Sequence, residues 1–271
     1  MSFPLPVSLS PSKVSSFKDC ALAFRFSAID RLPQPPSLPA VTGTLVHRAL
    51  EHLFWEVGAG TRSLSAGQQC LDAAWAEMGT DPEWIGLGLD EEGAAAMLAN
   101  ARVLVERYFT MEDPDSVNAI GTELWVEAEL GSLHLRGIID RLDLDADGGL
   151  VVTDYKTGRV PGPAQEQARL AGVHFYSFLC EQALGVRPAK IQLLYLRDRV
   201  MISTEPSEQS TRGMMIRTRA VWSAVERACA NEDFRPRPSA LCSWCAFQAW
   251  CPAFGGDPAQ ASVAAGQLLS A

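Results

Sequence analysis

Nowhere in the 271 residues does an apolar run reach the about 18 needed to cross a bilayer, and Met1 to Ser12 lacks the basic stretch and continuous apolar segment of a secretory leader. These absences point to a soluble, cytoplasmic chain with no membrane partner. Excess positive charge is missing too: the net charge is −9, which argues against a surface that coats nucleic acid throughout, while leaving room for a locally basic groove. There is no G-x-x-x-x-G-K-[ST] phosphate loop, so any DNA unwinding has to come from a separate helicase. No internal repeat is found.

What is present is a 47% hydrophobic composition, enough for one sizeable core, and a single domain over 1–256 is the simplest reading. Residues 257–271, rich in Ala, Gly and Ser, are expected to form a disordered tail. Seven cysteines in a reducing compartment point to roles other than disulfides, so their spacing matters more than their number. Between Arg187 and Arg237 ten basic residues stand against six acidic ones, a local +4 that is either a nucleic-acid-facing groove or an ordinary solvated surface.

The segment Leu32 to Pro39 holds four prolines and is expected as an extended loop between two helices. The second helix is expected from near Thr42 to Gly58, with Leu45, Ala49, Leu50, Leu53, Phe54 and Val57 at helical spacing and His47 riding on it. Helices with broken periodicity follow, including Ala94 to Phe109. The period then changes: Thr122 to Leu130, Leu133 to Leu144 and Leu150 to Thr157 alternate as three strands of an antiparallel meander. A helix over Ala164 to Leu184, a strand over Lys190 to Leu196 and a helix over Glu208 to Ala230 complete an α/β order with a mixed sheet.

Register turns the meander into geometry. If Leu144 faces Leu150 across the loop Asp145 to Gly149, then Asp140 faces Asp154 with Cβ atoms about 5 Å apart, and Lys156 follows on the same face. Two carboxylates this close repel unless a cation lies between them, and oxygen ligands suit Mg²⁺ or Mn²⁺. With Lys156 such a group could stabilise the charge that develops on a phosphodiester. The plainer alternative is a surface cluster in which Asp140 pairs with Arg141 or Lys156. Against it, Asp154 ends an apolar strand, and buried charge needs a reason.

Gly43-Thr44-Leu45-Val46-His47, Gly137-Ile138-Ile139-Asp140-Arg141 and Asp154-Tyr155-Lys156-Thr157-Gly158 resemble, in order, the motifs of RecB-type nucleases in the PD-(D/E)XK superfamily. The resemblance implies a restriction-endonuclease-like core and a DNA exonuclease acting on single strands or ends, in repair, recombination or related processing. It implies that His47, Asp140, Asp154 and the Tyr155 carbonyl hold the metal and that Lys156 is the catalytic lysine. Glu127 matches an acidic position on the preceding strand, and Tyr176 the tyrosine of the following helix. One departure stands out: the family commonly has a glutamine four residues before that tyrosine, and here the position is Gly172. A catalytically weakened binding module of the same fold is the alternative this departure leaves open.

Cys242, Cys245 and Cys251 form C-x2-C-x5-C, three thiolates that need a fourth ligand from elsewhere, for which Cys20 is the candidate. That pattern resembles the iron-sulfur nucleases of the AddB and CRISPR-adaptation types, which implies a [4Fe-4S] cluster clipping the two ends of the domain together; structural Zn²⁺ suits four thiolates as well. Cys70, Cys180 and Cys229 have no partners at ligand spacing and are expected as buried apolar residues. Trp244, Phe247 and Trp250 beside Arg235 and Arg237 serve either to shield the cluster or to stack bases.

Overall fold

The computed structural model describes residues 2–261, leaving aside the side chains of 163–171. Its helices are α1 (Pro11–Asp19), α2 (Ala21–Phe24), α3 (Leu38–Trp55), α4 (Leu64–Glu77), α5 (Pro82–Gly86), α6 (Glu91–Phe109), α7 (Pro163–Leu184) and α8 (Glu208–Asn231). Its strands are β1 (Asn118–Leu130), β2 (Leu133–Leu144), β3 (Leu150–Lys156), β4 (Lys190–Tyr195) and β5 (Val200–Thr204), in one sheet ordered β1-β2-β3-β4-β5. β3 pairs antiparallel with β2 and, through the α7 crossover, parallel with β4; β5 closes the edge antiparallel to β4. This α/β arrangement is the restriction-endonuclease-like core expected.

The single domain expected over 1–256 resolves into two compact units. The first comprises 1–35, 128–136 and 212–271, so both chain ends belong to it; the second comprises 36–127 and 137–211. In the first unit, Phe3 N–H bonds the Cys229 carbonyl (3.1 Å), and Arg237 Nη1 donates to the Lys18 carbonyl (2.9 Å). Of the expected tail, 258–261 are helical and Ala261 is buried; 262–271 lie outside the described residues.

The core of the second unit is built on α3, which packs against α4 and α6. α3 begins at Leu38, four residues earlier than its apolar period suggested. The Ser37 hydroxyl accepts from Ala40 N–H (3.4 Å) and Pro39 occupies the first turn, where a missing amide hydrogen costs nothing. Val41, Leu45, Val46, Ala49, Leu50, Leu53 and Phe54 then fill one side of the helix, and His47 is left on its other, half-buried stripe. Burying side chains of this size contributes about 1.5 to 3 kcal/mol each for the larger ones, far more than helix propensity does.

The β2–β3 hairpin closes on Asp145, whose Oδ1 accepts from Asp147 N–H (3.0 Å) and Gly149 N–H (2.7 Å), with Gly148 in the left-handed region at φ +79°. The pairs Leu144 with Leu150, Leu142 with Val152 and Arg141 with Thr153 are the register read from the sequence. β5, short and largely exposed at the sheet edge, carries no apolar period that would mark it in the sequence. Among the described residues no helix is long and apolar enough to cross a membrane.

Candidate active site

All the side chains that gather at the hairpin come from the second unit. Alternation along β2 sends Arg141 and Asp143 to one face and Asp140 to the other, while β3 sends Thr153 and Tyr155 one way, Asp154 and Lys156 the other. Asp140 and Arg141 are therefore not a pair. The Asp140 Oδ2 accepts from Tyr155 N–H (2.7 Å), which fixes the carboxylate against the partner strand. From α3, His47 brings Nδ1 to 3.5 Å from the same oxygen, and its Nε2 lies 3.0 Å from the Tyr155 carbonyl oxygen. Lys156 Nζ makes an ion pair with Asp154 Oδ2.

Two close approaches make this possible. A Cβ on Gly43 would sit 3.2 Å from Thr157 Oγ1, tighter than an ordinary contact, so glycine lets α3 lie close against the end of β3. A Cβ on Gly137 would meet Tyr176 Cε1 and Leu179 Cδ1 at 3.0 Å, so glycine on β2 lets the Tyr176 ring of α7 approach the strand closely.

The electrostatics follow from burial and crowding. Burial, then the Asp154 charge, push the Asp140 carboxyl well above the usual carboxylate range, against Lys156 and the Tyr155 N–H. Burial works against the Lys156 ammonium, but Asp154 and then Asp140 outweigh it, so the lysine stays charged. Burial lowers the His47 pKa despite Asp154, which favours the neutral imidazole that ligates metals. Tyr176 is raised by burial and then by Asp154, Asp140 and Glu123, placing its phenol among these carboxylates.

Glu127, the acidic position expected to contribute, is exposed on β1 and is not in this group. Glu123 is there instead: among the described residues, His47, Glu123 and Asp140 form the one set of three or more His, Cys, Asp or Glu donors whose ligand atoms all lie within 4.8 Å of one another. The sequence held the signal. If Leu130 faces Leu133 across Gly131-Ser132, the residue opposite Asp140 is Glu123. Its φ of +45°, rare for a residue with a Cβ, marks a local break in the strand at that point. The donor set fits a hard divalent cation with one imidazole, two carboxylates and a backbone carbonyl within reach.

A mixed sheet that presents two aspartates and a lysine on one face, beside a histidine from the preceding helix, is the frame of a nuclease. Residues 8–252 match the PD-(D/E)XK nuclease superfamily, and the chain belongs to it. It is 25% identical over 268 residues to the Gene 69 protein of Mycobacterium phage D29, spanning 90% of this chain and 96% of that one. A solved structure of a candidate exonuclease from Eubacterium rectale shares the fold at a TM-score of 0.52 and 13% identity, covering 88% of this chain and 87% of that one.

The expected cysteines lie in the first unit. Cys20, Cys242, Cys245 and Cys251 line one cavity of about 670 Å³. Burial, then Cys20, Cys242 and Cys251, push the Cys245 thiol up, while the Phe247 N–H acts against them; Ser239 N–H donates to Cys242 Sγ (3.3 Å). Cys70, Cys180 and Cys229 are buried, and burial pushes Cys180 up to about 12. Of the aromatic residues beside the cavity cysteines, Phe247 and Trp250 pack on Phe26 with centroids 5.4 and 6.3 Å apart, whereas Trp244, at the cavity's edge, is 87% exposed.

Proposed function

We propose that the chain is a Mg²⁺- or Mn²⁺-dependent deoxyribonuclease that hydrolyses phosphodiesters as an exonuclease on single-stranded DNA or DNA ends, in repair, recombination or related processing. The observation that carries this reading is one sheet face holding Asp140, Asp154 and charged Lys156, with His47 Nε2 3.0 Å from the Tyr155 carbonyl. His47, Asp140, Asp154, the Tyr155 carbonyl and Glu123 are the groups that would hold the metal. When bound, the ion supplies Lewis acidity at the scissile phosphate and lowers the pKa of water.

The chain's own residues do the rest. Tyr155 N–H holds the Asp140 carboxylate in place, and Asp154 keeps the Lys156 ammonium charged beside the site, where it can meet the negative charge that develops on the phosphate oxygens. The exonuclease description of the Eubacterium rectale protein agrees with this reading. With no phosphate loop in the sequence, a separate helicase would supply unwinding.

The four cysteines would hold a [4Fe-4S] cluster. The N–H groups directed at the Cys242 and Cys245 sulfurs would hydrogen-bond the thiolates that hold such a cluster. Gly172, at the position where the family commonly has glutamine, favours the second reading, a binding module with weakened catalysis.

Degradation of end-labelled single-stranded DNA with Mn²⁺, abolished in Asp154→Ala and Lys156→Ala, is the expected result. Absence of cleavage by cluster-replete protein on single-stranded, duplex and circular DNA would overturn the enzyme reading in favour of the binding module.

A further inference from the structure

The second unit carries 12 basic against 25 acidic residues, a net of −13, so a polyanionic substrate must reach the carboxylate site against the field of its own unit. Four of its ten arginines are committed: Arg102 to Asp72, Arg141 to Glu112 and Asp143, Arg187 to Glu181, and Arg62 to the backbone carbonyls of Val57, Pro114 and Val117. Three others, Arg159, Arg197 and Arg199, are exposed and make no ion pair among the described residues, although carboxylates outnumber cations two to one in the unit.

These three sit together, next to Lys156. β3 and β4 run parallel with Lys156 opposite Tyr195, and Leu196 N–H donates to the Lys156 carbonyl (2.9 Å). The loop after Lys156 is tied to the β4–β5 turn because Val160 N–H donates to Asp198 Oδ2 (2.6 Å). That bond satisfies one oxygen of the turn's own acid and sets Arg159 alongside Arg197 and Arg199. From α6, Arg107 Nη1 donates to the Arg197 carbonyl and adds a fourth cation to the same turn. Arg199 takes a left-handed φ of +54°, a position glycine or asparagine would fill without strain. Three residues of extended chain span at most about 11 Å, so Arg159 lies within that distance of Lys156.

We propose that Arg159, Arg197 and Arg199 form a phosphate-binding edge that grips the DNA backbone beside the scissile bond. Resting on the nuclease reading, this deepens it by assigning substrate contacts at the C-terminal ends of β3 and β4. Guanidinium groups pair with phosphate in bidentate fashion and hold their charge at any working pH, which suits a contact that must work in an acidic unit. It also separates the sequence's basic stretch into parts: Arg197 and Arg199 serve the site, and Arg187 is neutralised by Glu181.

The test compares DNA affinity across salt concentrations, by fluorescence anisotropy with labelled single-stranded and duplex oligonucleotides, in an Asp154→Ala background that prevents digestion. Arg159→Gln/Arg197→Gln/Arg199→Gln is expected to lower the salt slope by about 0.7 per arginine on single strands and about 0.9 on duplex, about 2 to 3 in all. In otherwise wild-type protein the same triple change is expected to raise KM while leaving kcat nearly unchanged. The matched control removes three charges elsewhere in the unit, Arg102→Gln/Arg187→Gln/Lys190→Gln. An unchanged slope in the first triple, or an equal drop in the control, overturns the phosphate edge alone. Wild-type protein that neither binds nor cuts DNA overturns the nuclease reading with it.

Discussion

At the scale of single residues, the site is built on a repulsion. Burial, then the Asp154 charge, push the Asp140 carboxyl well above its ordinary range in the folded chain. The linkage sign follows: a carboxyl whose folded pKa is raised stabilises the fold fully below the unfolded value, about 3.9, and loses that contribution as pH rises through the folded value. Metal-free protein is therefore expected to melt at lower temperature as pH rises through that window, and Asp140→Asn to flatten the dependence in differential scanning calorimetry.

A divalent cation relieves the same repulsion. Mn²⁺ at about 100 times its dissociation constant should stabilise the wild type by about 2.7 kcal/mol, reversed by chelation, and should add little to Asp140→Asn. Lys156→Ala is expected to cost about 100-fold or more in kcat with little change in substrate binding, which single-turnover kinetics would show. A K156A protein that retained wild-type kcat would remove the lysine from the chemistry. Asp140, Asp154 and Lys156 were legible in advance because strand period and hairpin length are written in the residues. The same facing rule reaches Glu123 from Asp140, whereas the family resemblance points to Glu127, farther along the strand.

At the scale of elements, the reverse of the β2–β3 hairpin explains why its front holds still. Arg141, 1% exposed, donates from Nε to Asp143 Oδ1 (2.8 Å), from Nη1 to Tyr155 Oη (2.8 Å) and from Nη2 to Glu112 Oε2 (3.2 Å) and Thr153 Oγ1 (3.2 Å). Thr153 Oγ1 in turn donates to Asp143 Oδ2 (3.1 Å) and accepts from Gln192 Nε2 (2.9 Å), so β2, β3, β4 and the segment after α6 are laced by one buried network. Tyr155 belongs to both sides: its phenol enters this network while its backbone N–H and carbonyl meet Asp140 and His47.

Removing one member of such a network leaves the other charge buried. Glu112→Ala is expected to cost about 3 to 5 kcal/mol, read from urea unfolding. Tyr155→Phe, which deletes one hydrogen bond, should cost about 1 to 2 kcal/mol, yet weaken Mn²⁺ binding about tenfold in calorimetric titration. Equal Mn²⁺ affinity in Y155F and wild type would show that the phenol only stabilises the fold. None of this network was legible from the motif, since the sequence shows Arg141 next to Asp140 and does not show which acid from 29 residues away will meet it. β5 escaped for a different reason: an exposed edge strand has little apolar period to read.

At the scale of the whole molecule, charge and cysteine divide with the two units. The first holds 11 basic and 7 acidic residues, a net of +4, together with all four cysteines of the cavity, against −13 in the second. The return of both chain ends to one unit is consistent with the cysteine spacing from which a clip was proposed. A cluster joining Cys20 to the C-terminal cysteines would close a loop of more than 200 residues. By loop-closure arithmetic its loss should cost about 5 kcal/mol, roughly 10 °C or more in Tm. Anaerobically purified wild type is expected to be brown with absorbance near 400 nm, Cys245→Ser to lose both colour and that stability, and Asp154→Ala to keep both. A colourless wild type with stoichiometric zinc would replace the cluster by a zinc site.

The hairpin turn at Asp145 to Gly149 has a consequence for how this chain can change over generations. Its tip is exposed and held by one carboxylate, so insertions there that keep the flanking pairing intact can accumulate at little cost to the ladder. One residue gained or lost inside β2 or β3 is different in kind, because it reverses the parity of everything beyond it. Asp154 and Lys156 would then trade sides with Tyr155, and the same composition would encode a protein with its carboxylate in the core and its phenol in the site. Descendants of this gene can therefore lengthen the hairpin at its end, while the two strands are read, like codons, in a frame.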